Sequence, residues 1–263
     1  MSIISFYNIL KTDFDKLLSN NMQELKKECK NCNTHFEGNY CFNCGQEADE
    51  KRFTIKNLPG EFLHGFFHVH GGLIFTIKEL FMRPGEMLRG YIHGKRVDYF
   101  NPFTYLVLIS LLGGFMFTYS GFGENIRDNI LATGETINFT RKHFSYRMLL
   151  MVPSYAFMCW ILFRSAKYNL AEHLIINTFL ISQTIVFSLV WLVVFSILKP
   201  KNMNFIIIYI STFLTIILYQ VIVLFALFNK GNSAMRLLKS IIAVLAGLGL
   251  SFVVMNTLAN FLQ

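Results

Sequence analysis

Five long apolar runs, separated by more polar segments, fill the chain from Pro102 onward: about 102–121, 147–164, 173–198, 203–228 and 237–258. Each approaches the roughly 20 residues with which a helix crosses the hydrocarbon core of a bilayer, so the pattern predicts five transmembrane helices. The second run, bounded by Arg147 and Arg164, is short. Arginines that snorkel to the interface make up the difference. Residues 1–28 set Phe14, Leu17, Leu18, Met22 and Leu25 on one stripe, which predicts an amphipathic helical extension that docks or caps.

Residues 51–101 are polar enough to be wet and apolar enough to touch lipid, and glycine and proline divide them. Three short helices fit. The first starts at an Asn57 cap with Pro59 in its first turn and carries Phe62, Leu63, Phe66 and Phe67. The second is Leu73 to Met82 and the third Pro84 to His93. Such pieces lie in the membrane interface, apolar side down, with Arg83, Arg89, Lys95 and Arg96 facing lipid headgroups or other anions.

Between these segments, residues 29–50 hold two Cys-x-x-Cys knuckles, Cys29/Cys32 and Cys41/Cys44. Each knuckle offers two sulfurs on one tight turn, and the short link brings the turns face to face, so four thiolates close a tetrahedral zinc site. Iron fits the same cage, and redox dithiols or disulfides are the alternative use of the four cysteines. Asn33 and Gly45 follow the second cysteine of each knuckle and tolerate a left-handed backbone there, while Phe36 and Tyr40 are expected to fill the space between the turns. So small a module has almost no core, and its metal supplies its folding energy.

Composition agrees with a lipid-solvated chain: 53% of residues are hydrophobic, 15% are charged and 28 are Phe. The net charge of +8 is placed unevenly. With the N-terminus in the cytosol, the inside segments hold 18 Lys and Arg and the outside segments 6. That bias follows the positive-inside rule and puts the C-terminus outside. Reduced thiolates point to the same side for the knuckles. The charge therefore reads as topology and lipid contact, and no nucleic-acid partner is expected. The opening run lacks a basic n-region and a small-residue cleavage site, so no signal peptide is expected.

Three constellations can carry chemistry. On a helix, Glu61, His64 and His68 share a face, with His70 just beyond, and could ligate a second metal or move protons; an amphipathic helix whose polar face carries histidines is the simpler reading. Glu172 and His173 open the third apolar run as a candidate acid–base pair, although a carboxylate at a helix N-terminus is also an ordinary cap. The third group, Arg83, Lys95, Arg96 and Tyr99, suits a phosphorylated lipid or nucleotide as well as an orientation signal. Within the spans Cys159, Asn177, Gln183, Gln220 and Asn256 suit interhelical hydrogen bonds, and Pro153 suits a kink. No span has a central charged residue, so a coupled transporter lacks its usual machinery.

Cys29-x-x-Cys32, Cys41-x-x-Cys44-Gly45-Gln46, Arg83-Pro84-Gly85, Gly94-Lys95-Arg96, Tyr99, Asn101-Pro102 and Glu172-His173 together resemble the bacterial family called domain of unknown function 3667. The likeness covers residues 29 to about 185. It implies a zinc-ribbon-like head on a multi-pass inner-membrane protein and carries over no activity.

The expected molecule is an all-α integral membrane protein with about five transmembrane helices in 102–263, a zinc-ribbon module at 29–50 and interfacial helices at 51–101. Membrane lipids and a protein docked on the ribbon are its expected partners, with a homo-oligomer allowed. Recruitment of that partner is the leading function. An enzyme acting on a lipid-linked or membrane substrate at the cytosolic face is the alternative, and a transporter the third.

Overall fold

Residues 27–60, 72–119, 144–198, 205–229 and 231–262 are described by a computed structural model. The expected helical extension before Lys27 and the segment carrying Glu61, His64, His68 and His70 lie outside the described residues.

Within these bounds the chain forms a small hairpin and then helices. Strand β1 (Lys27–Glu28) pairs antiparallel with β2 (His35–Phe36), and an isolated bridge joins Tyr40 to Glu47. The ribbon hairpin thus takes in Lys27 and Glu28, which the hydrophobic pattern assigns to the preceding extension. Helices α1 (Leu73–Met82) and α2 (Pro84–Ile92) follow. Pro84 separates them because its fixed φ and missing N–H suit the first turn of α2 but would interrupt a continuous helix.

The apolar runs form α3 (Pro102–Tyr119), α4 (Phe144–Leu162), α5 (Leu170–Leu198), α6 (Phe205–Leu227) and α7 (Ser233–Leu262). Among the described residues three stretches are long and apolar enough to cross a membrane: Leu170–Val194, Ile210–Leu227 and Ser233–Leu258. The other two expected spans give shorter apolar stretches, Pro102–Met116 and Tyr146–Leu162, of 10–17 residues.

Helix α5 is the central one: 67% of its apolar window is buried, against 28% for α6 and for α7. Helices α3 and α4 pack on α5, and α7 packs on α4. Leu214, Leu218, Phe252 and Val253 remain exposed along α6 and α7, as suits surfaces solvated by lipid tails. In that solvent apolar burial drives little helix association, so close packing and hydrogen bonds must contribute more. Both are present. A Cβ at Gly247 of α7 would come within 2.9 Å of the Tyr155 ring of α4, which shows how closely these helices approach. Tyr105 of α3 donates its hydroxyl to Gln183 Oε1 of α5 at 2.7 Å, and Cys159 Sγ of α4 lies 3.7 Å from Asn177 Oδ1 of α5.

The layer α1–α2 is joined to this bundle. Leu80, Met87, Leu88 and Tyr91 are buried in the same core as Tyr105 and Phe179. Gly85 lies against Ala226 and Leu227 at the end of α6, and Tyr219 donates its hydroxyl to the Leu80 carbonyl. Ile74, Phe81 and Met82 on α1 stay exposed. That face is apolar enough to contact lipid.

Candidate metal centre and the cavity beside it

The two knuckles are near copies of each other. In the first, Cys29 N donates to Thr34 O and Asn33 N to Cys29 O; in the second, Cys41 N donates to Gln46 O and Gly45 N to Cys41 O. Asn33 and Gly45 close the turns at φ 58° and 76°, the left-handed backbone expected of them. Phe36 is buried beside the cysteines, but Tyr40 is 65% exposed and points away from the space it was expected to fill. Its place beside the start of the second knuckle sets it outside the small core.

Cys29 and Cys44 bring their sulfurs to 3.5 Å and Cys32 and Cys41 to 3.6 Å, and the four Sγ atoms all lie within 4.8 Å of one another. Tetrahedral zinc with bonds of about 2.3 Å requires sulfurs about 3.8 Å apart, so the donor set fits it. Hydrogen bonds from the Thr34 side chain and backbone pull the Cys32 thiol down to about 5. Burial, reinforced by the neighbouring sulfurs, pushes Cys44 up to about 12. A cation among the four sulfurs would favour the thiolate at every position.

The ribbon is fastened to the helices at three places. Gln46, almost fully buried, donates Nε2 to the Gly94 carbonyl at 2.6 Å, and its Oε1 faces Arg96 N. Arg96 pairs with Glu50, donates to the Lys51 carbonyl and stacks its guanidinium 3.7 Å above the Phe53 ring. Arg52 reaches Glu172 with two bonds of 2.6 and 2.8 Å and donates to Lys167 O at 2.7 Å. The hydrogen bond and charge of Glu172 raise the Arg52 pKa further above its usual value.

Glu172 is also a cap. Asn169 Oδ1 accepts from Glu172 N, and Glu172 Oε2 accepts from Asn169 N, a reciprocal capping box at the start of α5. His173 is fully buried behind it, between the rings of Tyr168 and Phe228, and neither of its nitrogens has a hydrogen-bond partner among the described residues. The pair is adjacent in sequence but divided in space: the acid faces the ribbon, and the imidazole faces an aromatic interior.

Between ribbon and bundle lies a cavity of about 670 Å³. Its walls come from Lys30, Glu50 and Arg52 on the ribbon side, Arg89 and Arg96 around α2, and Lys167 and Glu172 before and at the start of α5. The turn from α6 into α7 contributes Phe228, Arg236 and Lys239. Of the residues expected to contact anions, Arg89 and Arg96 line this cavity. Arg89 also donates to the Ala226 and Leu227 carbonyls at the end of α6, where a cation suits the helix dipole. Arg83 instead pairs with Glu79, four residues earlier on α1, and Lys95 packs beside Gly90. Tyr99 stacks on Phe75, and burial raises its pKa. Arg52, Lys167, Arg236 and Lys239 are cavity residues that the motifs did not single out. The Lys51-Arg52 pair directly after the ribbon was the one local signal.

The sequence model of the family described as "Protein of unknown function (DUF3667)" matches residues 70–113. That window holds α1, α2, the Gly94-Lys95-Arg96 turn and the Asn101-Pro102 start of α3. It bears out the resemblance read from the motifs, over a shorter stretch than the motifs themselves span. No curated protein and no solved structure matches the chain.

Proposed function

We infer that this is an inner-membrane protein with its N-terminus in the cytosol and its C-terminus outside. Its zinc ribbon and α1–α2 layer recruit and seat a partner at the cytosolic face. One observation carries this reading: the ribbon is clamped over one end of the bundle by Gln46 and Arg52, so that ribbon and helices jointly wall a single cavity. A module fastened in this way presents one fixed surface. Tyr40 and Phe42 stand exposed on the ribbon and are available to a protein partner, while lipid surrounds the apolar face of α1. The candidate acid–base pair supports binding over catalysis, because Glu172 is already engaged as cap and ion-pair partner and His173 is sealed from the cavity.

The enzymatic reading keeps one observation in its favour. Glu172 lines the same cavity as Arg89 and Arg96, so an acid and two cations border one space. Complementation of a deletion strain separates the two. Glu172→Gln and His173→Asn should each restore the wild-type phenotype when the protein inserts, holds zinc and accumulates normally. Loss of complementation by both variants at normal abundance would replace recruitment with catalysis.

A further inference from the structure

The cavity between ribbon and bundle carries a charge imbalance that its own contacts leave in place. Its lining holds eight Lys and Arg residues and two Glu. Both carboxylates already face an arginine, Glu172 with Arg52 and Glu50 with Arg96. Lys167, Arg236 and Lys239 have no acidic partner among the described residues. Arg236 rests its guanidinium 4.5 Å from the centre of the Phe225 ring, and its Nε is buried without a hydrogen bond.

A topology signal accounts for cations at this end of the bundle but not for their convergence, since orientation needs them only in the correct loops. Converging like charges repel, most strongly where protein excludes part of the water. Two further features make the same space attractive to an anion. Helix α7 begins at its wall with no acidic residue in its first turn, so the positive end of its dipole is not offset there. The lining is also apolar in part, with Ile92, Phe163, Leu227 and Phe228.

We propose that this cavity binds a phosphate-bearing ligand, with Lys167, Arg236 and Lys239 on the phosphate and Phe163 and Phe228 against the ligand's apolar part. The assignment rests on the recruitment reading and names the chemistry of what is seated. A multiply charged phosphate offsets several cations at once, which a single carboxylate does not. At about 670 Å³ the space has the size of an ordinary ligand site and exceeds one phosphate, so the group arrives on a larger body. A lipid headgroup and a soluble phosphate ester share this chemistry.

The test uses the zinc-loaded full chain. In detergent, inorganic pyrophosphate is titrated calorimetrically, with citrate as a carboxylate control. In phosphatidylcholine nanodiscs with and without phosphatidic acid, native mass spectrometry counts the lipid retained. Arg236→Gln/Lys239→Gln, and separately Lys167→Gln, should weaken pyrophosphate binding at least tenfold or abolish phosphatidic acid retention, with zinc content unchanged. Arg83→Gln, outside the cavity, should alter neither. Loss confined to the lipid arm identifies a headgroup site, and loss confined to the pyrophosphate arm a soluble ester; either supports the proposal. Binding of neither probe, or binding indifferent to the cavity variants, overturns it, as does citrate binding as tightly as pyrophosphate. Those failures leave recruitment standing, because its own test is complementation by the Glu172 and His173 variants.

Discussion

Arg52 and Glu172, 120 residues apart in the chain, meet through two hydrogen bonds and so tie the four-cysteine ribbon to the first turn of the central helix. The pair is unequal, with the arginine side chain 60% exposed and the glutamate 3%. Solvent screening therefore limits what the ion pair itself contributes to about 1 kcal/mol or less. The reciprocal cap with Asn169 adds about 1 kcal/mol more. Glu172→Ala, which removes both the ion pair and the side-chain half of the cap, should accordingly lower unfolding free energy by about 2 kcal/mol, and Arg52→Gln by about half as much, because the cap survives in the second variant. Thermal unfolding in detergent measures both. Equal losses would assign the whole effect to the ion pair.

Gln46 makes a second tie that can be cut without touching the metal. Replacing it with Ala leaves the buried Gly94 carbonyl without its partner, a loss of about 1–3 kcal/mol to ribbon docking. Amide exchange across residues 29–50 should quicken while zinc content stays at the wild-type level. Unchanged protection would mean that Arg52 and Arg96 hold the ribbon unaided.

These ties show what the sequence could and could not disclose. The motif residues Gln46, Gly94-Lys95-Arg96 and Glu172 were legible as a set, and several of them prove to be joints: Gln46 meets Gly94, Arg96 meets Glu50, and Glu172 meets Arg52. Asn101, another motif residue, caps α3 by accepting from Phe103 N and Thr104 N. The knuckles were legible because ligand spacing is local. The cavity was not, because its walls come from the ribbon, α2, the α4–α5 connection, and the turn from α6 into α7. Residues so far apart in sequence leave no periodic trace. Charge gave the nearest hint: the cationic segments expected to share one side of the membrane are those whose Arg96, Lys167, Arg236 and Lys239 surround the cavity.

The metal gives a prediction with a definite sign. One zinc per chain is expected, and Cys41→Ser should lose it together with the ordered hairpin. Cys32, held near 5, is already a thiolate at pH 7, whereas Cys44, pushed to about 12, must release its proton on binding. Loading the apo protein should thus release protons, that of Cys44 among them, and zinc affinity should fall as pH falls. Calorimetry in buffers of different ionisation enthalpy counts the protons. No proton release on loading, or metal-free protein with intact ribbon spectra, would contradict the assignment.

Topology is open to direct reporter fusion. Fusions at Lys51 and Lys167, which border one cavity, must report the same side, and the positive-inside bias names it as the cytosol. Fusions at Asn129, Asn202 and Gln263 should report the outside. Lys51 and Lys167 on opposite sides would be incompatible with the Arg52 bridge to Glu172 and Lys167, and both outside would reverse the membrane orientation.

His173 separates packing from chemistry within one residue. It is fully buried, its ring lies against Tyr168 and Phe228, and both ring nitrogens lack partners among the described residues. A buried polar group without a hydrogen bond costs about 1–3 kcal/mol, so a leucine of similar bulk should be tolerated or even stabilising. His173→Leu should therefore melt within a few degrees of the wild type or above it, retain zinc and complement a deletion strain. A large fall in melting temperature would mean that the imidazole has a partner outside the described residues. Normal melting with lost complementation would be more consequential: it would show that the imidazole acts on a ligand when the Tyr168 and Phe228 rings move aside, and recruitment would then give way to catalysis.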